Sequence, residues 1–316
     1  MRLFKPYIVF FSIFLLHPMG AAYADISSLD DALRATYTAC VDIDDNLHDM
    51  KVMAGINIAV TGVGTGVGVG ATAVGFAKQK TDKTIEQLEK QLKEELDKHS
   101  DHISTEEEWD VFIAEFDKYL SDLTPKQIED LKAVDTLNTK SKKLGNWRTG
   151  LLAANTATNI AGAAIAGVNK VDDDLQTQIN NCISAVQALN KATMVARING
   201  EDISEATEIY NACREYEFID ISPINKRATG AMVASAVGAG VGLAGTITSG
   251  VANSDKTRND NTDAGKKKEK GLNTASNVMA IGATAASATA TVFNATQIAA
   301  IKKVASVSEK CTGVLK

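Results

Sequence analysis

Residues 228–254 read ATGAMVASAVGAGVGLAGTITSGVANS. The stretch carries no charged side chain and consists largely of Gly, Ala, Ser and Thr. Taken every fourth residue, one face reads Gly230, Ala234, Gly238, Gly242, Thr246 and Gly250. An α-helix collects residues at this spacing on one side. Small side chains there let a neighbouring backbone come close, as at small-xxx-small membrane interfaces. A long helix with a packing face is the expected state.

Three more uncharged runs share this character: Val52–Ala77, Thr149–Asn169 and Leu272–Ile301. The first offers Gly62, Gly66 and Gly70, with Gly64 and Gly68 beside them. The second offers Gly150, Ala154, Thr158, Gly162 and Ala166, and the last offers Gly282, Ala286 and Ala290. The expected helix-packing positions are Gly62, Gly66, Gly70, Gly162, Gly238, Gly242 and Gly282. Residues 62–70, GVGTGVGVG, also alternate with a period of two, which is a strand signal. Four matched long runs decide for helix.

The runs are punctuated by cysteines in a pattern that occurs twice. Tyr37-Thr38-Ala39-Cys40 is echoed by Tyr210-Asn211-Ala212-Cys213. Each Cys is followed by a polar stretch, an uncharged run, a charged tip, a second run and another Cys, Cys182 or Cys311. Internal repetition of this kind signals a duplicated unit. The arms match in length: Cys40 to Ala77 spans 37 positions, Lys143 to Cys182 39, Cys213 to Ser254 41 and Gly271 to Cys311 40. Equal arms with Cys at the open end describe an antiparallel helical hairpin. Each arm would be about 60 Å long at 1.5 Å per residue. Cys40–Cys182 and Cys213–Cys311 are the expected disulfides, each clasping one hairpin base.

The expected fold is therefore all-α. It comprises two duplicated long antiparallel helical hairpins, four Gly/Ala-rich long helices in all, with a small helical insert at the tip of the first. The divisions are a signal peptide at 1–24, a first hairpin at 25–199 with a charged insert at 78–144, and a second hairpin at 200–316. In the insert, Ile85, Leu88, Leu92 and Leu96 form a short coiled-coil-like stripe. Ser104 and Glu107 form a capping box before Trp109, Phe112, Ile113, Phe116 and Leu120, and Thr124-Pro125 opens a further helix. Core packing among these helices is the plain expectation, and a protein-partner groove is the alternative.

The leader reads Arg2 and Lys5, then an apolar stretch from Ile8 to Leu16, then Ala22-Tyr23-Ala24. Small residues at the two positions a signal peptidase reads place the mature start at Asp25. Removal of Arg2 and Lys5 takes the net charge from −6 to −8. So acidic a chain is a poor general nucleic-acid ligand. Export to a bacterial-type envelope membrane or periplasm, or secretion, also permits disulfides.

Catalytic signatures are missing from the sequence. His99 and His102 lie near Asp97 and Asp101 on what reads as a solvated helix end. Asp42, Asp44 and Asn46 resemble the start of a calcium loop, but Leu47 replaces its Gly and Met53 its closing Glu. The chain is expected to be non-enzymatic, with no cofactor, metal or small-molecule substrate. Its expected partner is a membrane or another copy of itself, through the small-residue faces. Asn155, Asn159, Asn273, Asn277, Asn294 and Gln297 weigh against simple insertion, so a soluble bundle that binds a partner through 78–144 stands as the alternative. Tip lysines Lys266, Lys267, Lys268 and Lys270 suit the inner side of a membrane. N-terminal sequencing of the exported chain should begin at Asp25. A chain that retains Met1 would make the leader an anchor.

Overall fold

The computed structural model describes residues 28–100, 125–260 and 262–315. The leader and the segment holding Ser104, Glu107, Trp109 and Phe112 lie outside the described residues. The described residues are helical, with no strand. The helices are α1 (Leu29–Cys40), α2 (Ile43–Ser100), α3 (Pro125–Val168), α4 (Asp173–Asn199), α5 (Ser204–Cys213), α6 (Ser222–Ala252), α7 (Asp255–Arg258) and α8 (Asp263–Leu315). A 3-10 helix, Arg214–Phe218, joins α5 to the approach of α6.

Four of these, α2, α3, α6 and α8, form one bundle. Neighbours run around it in the order α2, α3, α6, α8 and back to α2, while the diagonal helices barely touch. Both disulfides form as the arm lengths imply, Cys40–Cys182 and Cys213–Cys311, and each closes one hairpin at the same end of the bundle. The arms are longer than the uncharged runs. α2 has 58 residues and continues unbroken through the Ile85–Leu96 stripe, and α3 starts at Pro125 and has 44. The insert is thus partly an extension of the hairpin arms. No Gly or Pro interrupts residues 76–100, and Pro125 stands at a first turn, where its missing N–H costs nothing.

The two hairpins repeat one burial pattern. Met50, Ala54, Thr61, Gly64, Gly68 and Gly75 of α2 are buried, and at one constant offset so are Ile224, Ala228, Ser235, Gly238, Gly242 and Ser249 of α6. Leu152, Asn155, Asn159 and Gly162 of α3 correspond in the same way to Ala280, Ala283, Ser287 and Ala290 of α8.

Local chemistry sets the breaks near the disulfide end. Asn225 accepts from Val171 N at 2.7 Å and donates to Val171 O at 3.3 Å, which ties off the α3–α4 junction. Asp172 then caps α4 by accepting from Leu175 N. Gly200 ends α4 at a φ of 78°, a left-handed conformation that favours glycine. Ser28 caps α1 through Asp31 N.

Around the disulfides, α1, α4, α5 and the end of α8 make an ordinary apolar core. Ile43, Leu47, Ile179, Leu189, Tyr216 and Ile301 are buried together with all four Cys. Burial pushes the Tyr216 phenol up to about 12, against a smaller opposing pull from the Ser308 hydroxyl. The unfolded phenol ionises near 10. This stabilisation is complete below pH 10 and is lost as pH rises from about 10 to 12. Chemical denaturation across that window should show a loss approaching ~2–3 kcal/mol, and Tyr216→Phe should abolish this part of the pH dependence.

Candidate functional site

Along the bundle shaft the usual sidedness is reversed. The interior is built from glycine, alanine and polar side chains, and the outer surface from Val, Ile, Leu and Phe. The only apolar cluster buried in the shaft is small: Ala71, Leu152 and Ala280, among the described residues.

Glycine makes this interior possible by leaving room for a polar side chain of the next helix. A Cβ on Gly238 would lie 2.8 Å from Asn159 Oδ1, and one on Gly242 would lie 2.6 Å from Thr156 Oγ1. Gly64 faces Thr158, Gly68 faces Asn155 and Thr284, Gly75 faces Asn277, and Gly162 faces Thr61. Of the positions expected from sequence, Gly162, Gly238 and Gly242 sit at such contacts. Gly282 meets Val241 at 3.3 Å, and Gly70 only touches Leu151 at 3.7 Å. Nothing lies within 4 Å of an added Cβ on Gly62 or Gly66 and both face outward, so neither packs against another helix of this chain. In GVGTGVGVG two interleaved glycine rows run down the same helix. The structure uses Gly64, Gly68 and Gly75, set by the register of Ala54, Asn57 and Thr61 before them.

The seated polar groups bond across the bundle. Asn57 Nδ2 donates to Asn294 Oδ1 at 3.1 Å. The Ser287 hydroxyl of α8 lies 3.1 and 3.0 Å from Oδ1 of Asn155 and Asn159 of α3, which are themselves joined within that helix by Asn159 Nδ2 donating to Asn155 Oδ1 at 2.6 Å. Ser276 Oγ donates to Gly245 O at 3.1 Å. Near the inner end, away from the disulfides, Arg148 is fully buried. Its Nε donates to Ser249 Oγ at 3.0 Å, Nη1 to Asn277 Oδ1 at 3.1 Å and Nη2 to Asn273 Oδ1 at 2.7 Å. Lys78, also fully buried, pairs with Asp82 at 2.6 Å and Glu269 at 3.4 Å, and Ser141 donates to Asp82 at 2.5 Å.

Sequence reasoning treated Lys78 as part of a solvated tip and passed over Arg148. The signal was present in helical spacing: Asn159, Asn155, Leu152 and Arg148 fall on one face at steps of four, three and four. The asparagines that weighed against insertion are all inside, where no lipid would meet them.

Outside, α2 exposes Val52, Ile56, Val63, Val69 and Phe76, α6 exposes Val233, Val237, Leu243, Ile247 and Val251, and α8 exposes Val278, Ile281 and Val292. Along the chain the uncharged stretches are flanked by basic residues, Lys51 and Lys78, Arg148 and Lys170, and Lys270 and Lys302, of which Lys78 and Arg148 are buried inside the bundle. On α3 the belt runs from Trp147, 68% exposed, to Val168, 74% exposed. Twenty-one helical steps of 1.5 Å make about 31 Å, close to the ~30 Å hydrocarbon core of a bilayer. Each of the four long helices is long and apolar enough to cross a membrane.

No protein-family model, curated protein or solved structure matches this chain. The two disulfides suit an oxidising extracytoplasmic compartment.

The glycine seats are open to a paired test. Gly238→Leu should destabilise the fold by about 1–3 kcal/mol or more through overpacking, as read by thermal unfolding. Gly240→Leu, where nothing lies within 4 Å, should leave the midpoint unchanged or raise it. Equal effects would remove the seat as the cause.

Proposed function

We propose that this chain is a non-enzymatic envelope protein that spans a membrane as a four-helix bundle, with its disulfide-clasped cap outside and its lysine-rich tips inside. The observation that carries this reading is the reversed sidedness of the shaft. In water, an outer surface of Val, Ile, Leu and Phe around an interior of Asn, Ser and Thr would lose the hydrophobic term that normally holds a bundle together. In lipid the same arrangement is favourable. Side chains that interact poorly with water face the acyl chains, and polar groups bond to one another away from them.

Three further features support the reading. The belt has bilayer thickness on α3, with Trp147 at its inner edge, where an amphipathic aromatic ring favours the interface. Inner-end lysines include Lys267, Lys268 and Lys270, all exposed, in keeping with the positive-inside tendency. Both disulfides lie at the opposite end. The outward row Gly55, Gly62 and Gly66, untouched by the chain's own helices, suits self-association in the bilayer into a scaffold or pore.

Carbonate extraction of membranes tests the proposal. The mature chain should stay in the pellet. Its release into the supernatant would sink the membrane-spanning reading and turn attention to a soluble bundle that binds a protein through 78–144.

A further inference from the structure

We infer that a band of lysines beside the inner edge of the belt binds the phosphate groups of anionic phospholipids, with Lys80 and Lys83 of α2 and Lys140 and Lys143 of α3 as its principal contacts. The inference rests on the membrane-spanning reading and names the lipid that this end of the bundle selects. Charge beyond the belt is sorted by level. Segments 78–90, 138–148 and 253–272, which adjoin the belt, hold fourteen basic and seven acidic residues. Segment 91–137, which follows in the chain, holds five basic and fourteen acidic ones. The buried part of the basic layer is balanced, Lys78 and Arg148 against Asp82 and Glu269. The excess therefore lies on the outer surface.

Lys80, Lys83, Lys140 and Lys143 are all exposed, and none forms an ion pair among the described residues. Neighbouring carboxylates are engaged elsewhere: Asp82 with Lys78, Glu86 with Lys270 and Asp255 with Lys142. Segment 138–148 contains no acidic residue. Gly75 lies against Arg148, and Ser141 donates to Asp82. In these antiparallel helices Phe76 is therefore level with Trp147, Lys80 with Lys143 and Lys83 with Lys140. Phe76 is 53% and Trp147 68% exposed, so the first rung is aromatic and stands at the edge of the belt. Four and seven helical steps place the two lysine rungs about 6 and about 10 Å beyond it. The headgroup layer of a bilayer is about 5–7 Å thick on each side, and a lysine stem is long enough to bring its ammonium back into it. Like charges at one level repel unless an anion lies between them. A phospholipid phosphate supplies that anion at this depth, with its acyl chains beside Phe76 and the Val and Ile of the belt. A choline headgroup cancels its own phosphate, so the lysines should select a lipid with net negative charge.

Trp147 reports on this level directly. The chain has two tryptophans, so Trp109→Phe leaves Trp147 alone. That chain, oxidised, is reconstituted in vesicles of mixed phosphatidylglycerol and phosphatidylcholine, with brominated acyl chains on one lipid at a time. Quenching of Trp147 should show phosphatidylglycerol enriched beside it by about fivefold over the bulk mixture, and high salt should weaken the preference. Lys80→Gln, Lys83→Gln, Lys140→Gln and Lys143→Gln together should remove most of it. Lys302→Gln with Lys303→Gln, exposed at the disulfide end, should leave it unchanged. Equal quenching by the two brominated lipids would overturn the inference and leave the chain in the membrane; it is also the result expected if the acidic 91–137 segment of a second copy covered the lysines. An undiminished preference in the fourfold variant would overturn it as well. No quenching by either lipid would place Trp147 outside the bilayer, and the membrane-spanning reading would fall together with the inference.

Discussion

Four long helices lie close together because glycine on one helix receives an asparagine or threonine from the next. That contact governs the rest of the shaft. The seat has no room for a Cβ, so a larger residue at Gly68, Gly75, Gly238 or Gly242 must displace the asparagine or threonine side chain seated there. The side chains that fill the seats are polar and short, and they bond to one another between helices, as Asn57 with Asn294 and Ser287 with Asn155 and Asn159 do. With the inside taken by polar groups, the larger apolar residues are left for the outside. The solvent that suits the shaft follows from this. Each interior glycine costs a helix about 1 kcal/mol relative to alanine in water. Here the close packing of the seated side chains and the bonds between them, such as Asn57 with Asn294, work against that cost.

The molecule changes character along its length. Around the disulfides Ile43, Leu47, Leu189 and Ile301 are inside, as in any protein that folds in water. From Asn57 to Arg148 the order is inverted. The cap thus has the core of a protein that folds in water and the shaft does not, and both disulfides lie in the cap. Each bridge ties a hairpin to itself and neither ties one hairpin to the other. The pairing of the hairpins rests on the glycine seats and the polar bonds between them.

Duplication explains the regularity of the bundle, and departures from it mark chemical specialisation. Most buried positions in one hairpin face an equivalent small or polar residue in the other. Lys78 and Arg148 stand where the second hairpin has Ala252 and Ser276. Both buried cations therefore belong to the first hairpin and to the inner end. Asp82 and Glu269 balance the two, pairing directly with Lys78, while Arg148 bonds to neutral groups.

Much of this was open to reading in one dimension. Composition and spacing determined the helical class, the four long arms, the repeated order of cysteines and the two disulfide pairs, because arm length and a clasp at the open end are properties of the chain alone. The tertiary structure decided which glycine row faces inward. The segment GVGTGVGVG carries two rows on one helix, and only packing against α3 and α8 selects Gly64 and Gly68 over Gly62 and Gly66. It also decided that the asparagines lie on the axis. A polar residue in an uncharged run has the same local sequence whether it faces lipid, water or another asparagine, and its neighbours across the bundle are distant in the chain, as Asn159 is from Gly238 and Asn57 from Asn294. For the same reason Lys78 resembled a residue of a solvated tip, and Arg148, between the tip and the next uncharged run, showed no role until the helices closed around both.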